Sequence, residues 1–347
     1  MASRNARPPT SATTSTTPYA GLTPHIVLDA LESVGIHCDG RLLSLNSYEN
    51  RVYMAWRDAD VDVDAKPGLP IVAKFYRPGR WSDAAIREEH EFVEALAAKE
   101  IPAVPPLRID GETLARFADF RFAVYPRCAG RAPELEDPDS LRWMGRFLGR
   151  IHVVGEAKAF VARPALDVAT FGHGPRDRLL ASGFIPPDLR EAWTAAVRLA
   201  LEGVRRAWDR AGKVGAIRLH GDCHVGNVLW DADGPHFVDF DDARTGPAIQ
   251  DLWMLLSGDR PAMERQLGFL LNGYEQFREF DDRELHLLEA LRTLRLIHYS
   301  AWLAERWDDP AFPAAFPWFN TQRYWQDRIL ELREQIALLD ERPLAPS

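Results

Sequence analysis

Cysteine is scarce in this chain of 347 residues: Cys38, Cys128 and Cys223 are odd in number and widely spaced. That excludes a disulfide framework and fits a reducing, cytoplasmic compartment. No apolar run approaches the roughly 18 residues of a membrane span. The opening stretch, MASRNARPPTSATTSTTPYAG, has two arginines but no apolar segment, so it does not read as a secretory signal. Its Ser, Thr and Pro content cannot build a core, and residues 1–22 are expected to form a disordered tail. A basic excess is also missing. The formal charge of −9 argues against a general nucleic-acid-binding surface but leaves room for a local phosphate pocket. No internal repeat is present. A hydrophobic content of 46% and a charged content of 27% describe an ordinary globular enzyme, long enough for two lobes.

The pattern along the chain is α+β. TPHIVLDALESVG has a Thr23 cap, helical apolar spacing and a terminating Gly35. Strand-like runs follow at RLLSLNS, RVYMAWRD, LPIVAKFYRP and RFAVYP. VDVDAKPG reads as a hairpin loop between two of them. SDAAIREEHEFVEALAAK reads as a helix capped by Ser82. Beyond Pro126 helical patterns dominate, except near 228–240. The expected organisation is a small sheet-plus-helix lobe over 23–126 and a larger, mainly helical lobe over 127–347.

One stretch concentrates chemistry. RLHGDCHVGNVLW holds His220, Asp222, Cys223, His224 and Asn227. Zinc sites usually bring two spaced ligand pairs, and no second cluster exists here. A His-Cys nucleophile would need an orienting partner that the sequence does not offer. The spacing fits a third reading. Asn227 follows Asp222 by five positions, and Asp239 follows Asn227 by twelve, across an expected hairpin. This is the D-x-x-x-x-N…D-F pattern of kinases. Asp222 would take or orient the acceptor's hydroxyl proton, while Asn227 and Asp239 would offer oxygen to Mg²⁺. Asp241 is a candidate supporting group behind that ligand, and Asp242 a structural one. Asp251 reads as a helix cap.

A phosphotransferase also needs a lysine on a strand of the first lobe. Lys74 sits mid-strand in PIVAKFYRP, where burial requires a negative partner. Glu89 interrupts the apolar stripe Ala85, Phe92, Leu96 and is the expected partner, with the adjacent Glu88 ranked second. LNSYENRVY lacks the glycines of a G-x-G-x-x-G loop, yet Ser47 and turn N–H groups are candidates for phosphate contacts. Val124 and Tyr125 are candidates for the adenine edge.

These segments resemble the aminoglycoside phosphotransferase and choline kinase group, which has the protein-kinase-like bilobal fold. LHGDCHVGNVLW with FVDFDDARTGPAIQDLWMLL, LNSYENRVY and VAKFYRPGRW resemble more closely the bacterial stress response kinase A family. That likeness runs from about His25 past DPAFPAAFPWF. It implies a cytoplasmic, ATP- and Mg²⁺-dependent serine/threonine protein kinase with Asp222 as base, Asn227 and Asp239 as metal ligands, Ser47 on ATP, and Lys74 with Glu89 as the ion pair. The acceptors would be Ser or Thr residues of proteins, the chain itself included, with the Thr10–Thr17 cluster as a self-target. A kinase of a small hydroxyl compound shares every one of these residues, and a nucleotide-binding scaffold without turnover is a third reading. The protein is expected to act as a monomer, without nucleic acid or membrane. Asp241 and Asp242 would form an acidic rim favouring basic acceptors. The tryptophans Trp302, Trp307, Trp318 and Trp325 would be core or a peptide-binding rim. Only twelve positions separate Asp239 from Asp251, and RTGPA between them reads as a tight turn. No phosphorylated activation loop is therefore expected.

Overall fold

A computed structural model describes residues 17–58, 69–232 and 234–347. The tail before Thr17 and the VDVDAKPG segment lie outside the described residues. The first lobe is a five-stranded antiparallel sheet in the order β1-β2-β3-β5-β4. Its strands are β1 (Cys38–Leu45), β2 (Arg51–Arg57), β3 (Pro70–Phe75), β4 (Ala115–Phe117) and β5 (Phe120–Pro126). Helix α1 (Pro24–Glu32) covers one face, burying Val27, Ala30 and Leu31 against Ala55, Ile71, Phe75 and Phe122. The Thr23 side chain caps it by accepting from Ile26 N. The order begins earlier than the tail expected over residues 1–22 allows, because Tyr19 is already docked. Its hydroxyl donates to Glu49 O at 3.0 Å, and the Arg51 guanidinium lies 4.3 Å from its ring.

Helix α2 (Asp83–Ala97) is capped by Ser82, as its sequence indicates. Its apolar stripe divides its loyalty. Ile86 packs under the sheet with Tyr76 and Ala123, whereas Phe92, Val93 and Leu96 are buried in the core of the second lobe. Phe92 meets Phe240 and Phe160 edge-on. Burying one such aromatic contributes about 1.5–3 kcal/mol, so α2 is fixed to the second lobe as firmly as to the first.

The second lobe contains α3 (Pro138–Glu156), α4 (Gly174–Ser182), α5 (Arg190–Ala211), α6 (Ile249–Trp253), α7 (Arg260–Tyr274), α8 (Leu288–Glu305), α9 (Ala311–Ala315) and α10 (Gln322–Leu338). Two short ribbons cross it. β6 (Ile217–Leu219) pairs with β9 (Arg244–Gly246), and β7 (Val228–Asp231) pairs with β8 (Gly234–Phe237). RTGPA is therefore strand at its start rather than a tight turn. Close packing of α3 on α7 relies on Gly145, Gly149 and Gly273, where an added Cβ would meet backbone at 2.0–2.6 Å. No helix among the described residues is long and apolar enough to cross a membrane.

Candidate active site

The ribbon β6–β9 delivers the segment His220–Asp222 to the edge of the cleft. Gly221 has φ +85, and a Cβ there would lie 2.2 Å from Asp242 O, so only glycine fits this approach. Asp251 fixes the segment from beneath. Its carboxylate accepts His220 N and Gly221 N, both at 2.8 Å, and His152 Nε2 at 3.1 Å. Burial works against its charge, but the bonds from His152 and Gly221 hold its pKa below the ordinary carboxylate value. Gln250 Nε2 donates to Gly221 O at 3.0 Å. Asp251 thus lies inside α6 as a brace for the loop, not as the helix cap its position in sequence suggested.

Asp222 projects beyond this brace. Its Oδ1 accepts from Arg295 of α8 at 2.6 Å, and His224 Nε2 lies 3.6 Å from its Oδ2. Asn227 reaches back through Nδ2 to Asp222 O at 2.9 Å, which turns its Oδ1 away from that bond. Val238 N donates to Asn227 O at 3.0 Å, continuing the β7–β8 pairing by one step. His220 Nε2 meets Val238 O at 3.0 Å. Asp239 is therefore set beside Asn227 by the hairpin. It adopts a left-handed conformation, φ 58 and ψ 61, with its side chain half exposed.

Lys74 crosses from β3 into this arrangement. Its Nζ lies 2.9 Å from Asp239 Oδ1 and 3.3 Å from Asp241 Oδ1. Burial disfavours the ammonium, but Asp239 and Asp241 outweigh it and hold the pKa well above the ordinary lysine value. The expected pair with Glu89 is not made. Glu89 binds Arg163 at 2.9 Å, and Glu88 accepts the backbone N–H groups of Val161, Ala162 and Arg163 at 2.7–3.0 Å. The reason is packing. Because α2 buries its lower stripe in the second lobe, its carboxylates face the 161–163 segment.

The remaining sequence candidates separate. Ser47 lies in the β1–β2 turn, half-buried. Its neighbours tie that turn to the second lobe. Glu49 Oε2 accepts from Trp302 Nε1 at 2.6 Å and Arg306 Nε at 2.5 Å, and Asn50 Nδ2 donates to Asp241 Oδ2 at 3.1 Å. Val124 is spent inside the first lobe: its side chain is core, and its carbonyl accepts Leu107 N at 2.7 Å. The Tyr125 hydroxyl pairs with that of Tyr76 at 2.9 Å. Neither residue's role at an adenine edge gains support from these partners. Asp241 and Asp242 form no acidic rim. Asp241 is buried against Lys74 and Arg80, and Asp242 binds Arg80 at 2.9 Å and Arg244 at 2.5 Å. The metal alternative for RLHGDCHVGNVLW gains no support from the side chains: Cys223 and His220 are fully buried, and His220 Nε2 is engaged by Val238 O at 3.0 Å. Sequence reading missed Arg163, Arg295 and Arg80. No local pattern marks them, because their partners lie 74, 73 and 161 positions away.

A small antiparallel sheet above a helical lobe, with lysine, carboxylates and carboxamide meeting in the cleft, defines the class of kinase-like phosphotransferases. Solved structures agree on the fold. Amicoumacin kinase hAmiN, in complex with AMP-PNP, Ca²⁺ and Ami, superimposes with a TM-score of 0.69 at 18% identity, covering 93% of this chain and 95% of that one. A microcompartment-associated aminopropanol kinase gives 0.67 at 18% identity, covering 92% and 97%. The chain belongs to the phosphotransferase enzyme family, whose sequence model matches residues 43–291, and within it to the stress response kinase A family. It is 43% identical over 326 residues to stress response kinase A of Escherichia coli K12, covering 94% of this chain and 96% of that one. Identity and coverage are the same for the serine/threonine protein kinase RdoA of Salmonella typhimurium LT2.

Proposed function

We propose that this phosphotransferase uses ATP·Mg²⁺ to phosphorylate serine or threonine hydroxyls of proteins. The observation that carries the phosphotransfer part of the reading is the convergence of Lys74 on Asp239 at 2.9 Å and of Asn227 on Asp222 O at 2.9 Å, the two pairs joined by Val238 N on Asn227 O at 3.0 Å. Asp222 is the group that orients the acceptor hydroxyl and takes its proton. Arg295 fixes one carboxylate oxygen of Asp222, and the other, with His224 Nε2 3.6 Å away, is the one that would meet that hydroxyl. Lys74 would supply a cation to the phosphates, and Asp239 would hold the metal ion.

The donor set fits Mg²⁺. A half-exposed Asp239 carboxylate follows Asn227 across the hairpin, and the Asn227 amide nitrogen is engaged by Asp222 O, so its oxygen is the atom left for a cation. Mg²⁺ takes one or two protein oxygens and fills its remaining positions from phosphates and water. When bound, it would neutralise charge on the triphosphate. Support for a protein acceptor comes from the rim beside the base. Tyr299, one turn beyond Arg295 on α8, stacks on Trp302 at 5.6 Å and Trp318 at 6.5 Å, and Trp318 is 44% exposed. Open aromatic surface of this kind suits an extended peptide. Trp325, by contrast, is core.

The test is transfer from labelled ATP·Mg²⁺ by the purified protein alone, with generic protein acceptors, and with aminoglycosides and amino alcohols. Label on protein serine or threonine, lost in Asp222→Asn, supports the reading. Robust turnover of a small alcohol with no protein-bound phosphate overturns it.

A further inference from the structure

We infer that Arg163 is a positioning residue that holds the metal-binding turn at Asp239 in register with helix α2. This rests on the ATP·Mg²⁺ reading above. Arg163 lies in the connection after α3 and its side chain is fully buried. Its guanidinium makes four bonds with donors in one plane. Nε donates to Ala85 O at 2.9 Å, NH1 to Asp241 O at 2.8 Å and Ala243 O at 3.0 Å, and NH2 to Glu89 Oε2 at 2.9 Å. The Trp81 ring stacks 4.6 Å away. Two of these partners belong to α2 and two to the turn that follows Asp239. A lysine cannot span them, because its donors radiate from a single nitrogen.

The turn needs such an anchor. Asp239 is a non-glycine residue in the left-handed region, a conformation that persists only where its surroundings enforce it. Upstream, Val238 is held by His220 and Asn227. Downstream, the carbonyls of Asp241 and Ala243 are held by Arg163. Lys74, Arg80 and Arg244 hold the side chains of Asp241 and Asp242, but Arg163 ties the Asp241 and Ala243 carbonyls to α2, and its loss frees that backbone to shift and takes the Asp239 carboxylate off its aim at the metal. Glu89 and Glu88 then have a role different from pairing Lys74: they place Arg163.

Replacing Arg163 alone leaves Glu89 buried without its cation, and that variant can fail for lack of folding. Arg163→Met/Glu89→Gln removes both charges and keeps volume. Binding of Mn²⁺, used as a spectroscopic stand-in for Mg²⁺, is measured by electron paramagnetic resonance with AMP-PNP present. Affinity for a fluorescent ADP is measured in EDTA, and folding by thermal melting. The double variant is expected to fold, to bind metal-free nucleotide like Glu89→Gln, and to lose about 10–100-fold in Mn²⁺ affinity, the usual cost of removing a group that orients a ligand. A folded double variant with the Mn²⁺ affinity of Glu89→Gln overturns the inference alone. Absence of nucleotide-dependent Mn²⁺ binding by the wild type overturns the ATP·Mg²⁺ reading and this inference with it.

Discussion

Lys74 Nζ and Asp239 Oδ1 stand 2.9 Å apart, joining the small lobe to the large one across the bottom of the cleft. On the ATP·Mg²⁺ reading, Asp239 would hold the metal ion and Lys74 would offer its charge to the phosphates. Asp239→Ala should therefore weaken nucleotide binding in Mg²⁺ far more than in EDTA, because the metal loses its anionic oxygen. Asp222→Asn should act differently. Loss of a positioned base costs about 10²–10⁴ in rate, while nucleotide affinity stays near that of the wild type. Titrating nucleotide against each variant with and without Mg²⁺ separates the roles. A parallel collapse of affinity and turnover in Asp222→Asn would reassign Asp222.

Asp251 is the brace beneath the His220–Asp222 segment, and its loss should be felt first in stability. Asp251→Ala leaves two buried backbone N–H groups and His152 without their acceptor, at about 1–3 kcal/mol for each unmet group. Asp251→Asn keeps one oxygen and should fall between alanine and wild type. Urea denaturation of the three proteins tests this order, and an alanine variant as stable as the wild type would remove the brace.

Glu284 supplies a pH dependence. It is buried and accepts Ile249 N at 2.8 Å at the start of α6, and burial pushes its pKa from 4.5 up to about 7. The unfolded chain ionises this group above pH 4.5, whereas the folded protein keeps its proton until about 7. The folded state thus binds the extra proton, and stability falls as pH rises through that window, at up to about 1.4 kcal/mol per pH unit. Glu89, raised in the same direction by burial, adds to the slope. Asp241 and Asp242, held low by Arg80, act only at more acidic pH. Glu284→Gln should shrink the stability difference between pH 5 and pH 7.5. An unchanged difference would contradict the assignment.

Thr245 lies between Asp239 and Asp251, in the middle of strand β9. Its N–H donates to Pro164 O at 3.1 Å and its carbonyl accepts Leu166 N at 2.7 Å. The segment is already ordered, so it offers no loop for a phosphate to order. Thr245→Ala is expected to leave initial rates within a few-fold. A folded but inactive variant would show that this hydroxyl controls the enzyme.

Local chemistry settled much of this protein in the sequence itself. Thr23 and Ser82 announce their helices because a cap's partner lies three residues away. Lys74 is legible as a mid-strand lysine because strand periodicity is local too. The spacing of Asp222, Asn227 and Asp239 is legible because a short loop after β6 and one hairpin carry all three within one short stretch of the chain. Which cation meets which carboxylate was decided by the tertiary structure alone. Glu89 looked like the partner of Lys74 because it interrupts an apolar stripe, and a stripe reveals burial without revealing what stands opposite. The opposite surface is the 161–163 segment, brought there by Phe92 and Leu96 sinking into the second lobe. Arg163 therefore takes the hydrogen bond of Glu89, and Lys74, still within electrostatic reach of Glu89, makes its contacts with Asp239 and Asp241. Asp241 and Asp242 looked like an open acidic rim for the same reason, until Arg80 arrived from the first lobe and Arg244, two positions along the chain, folded back onto Asp242.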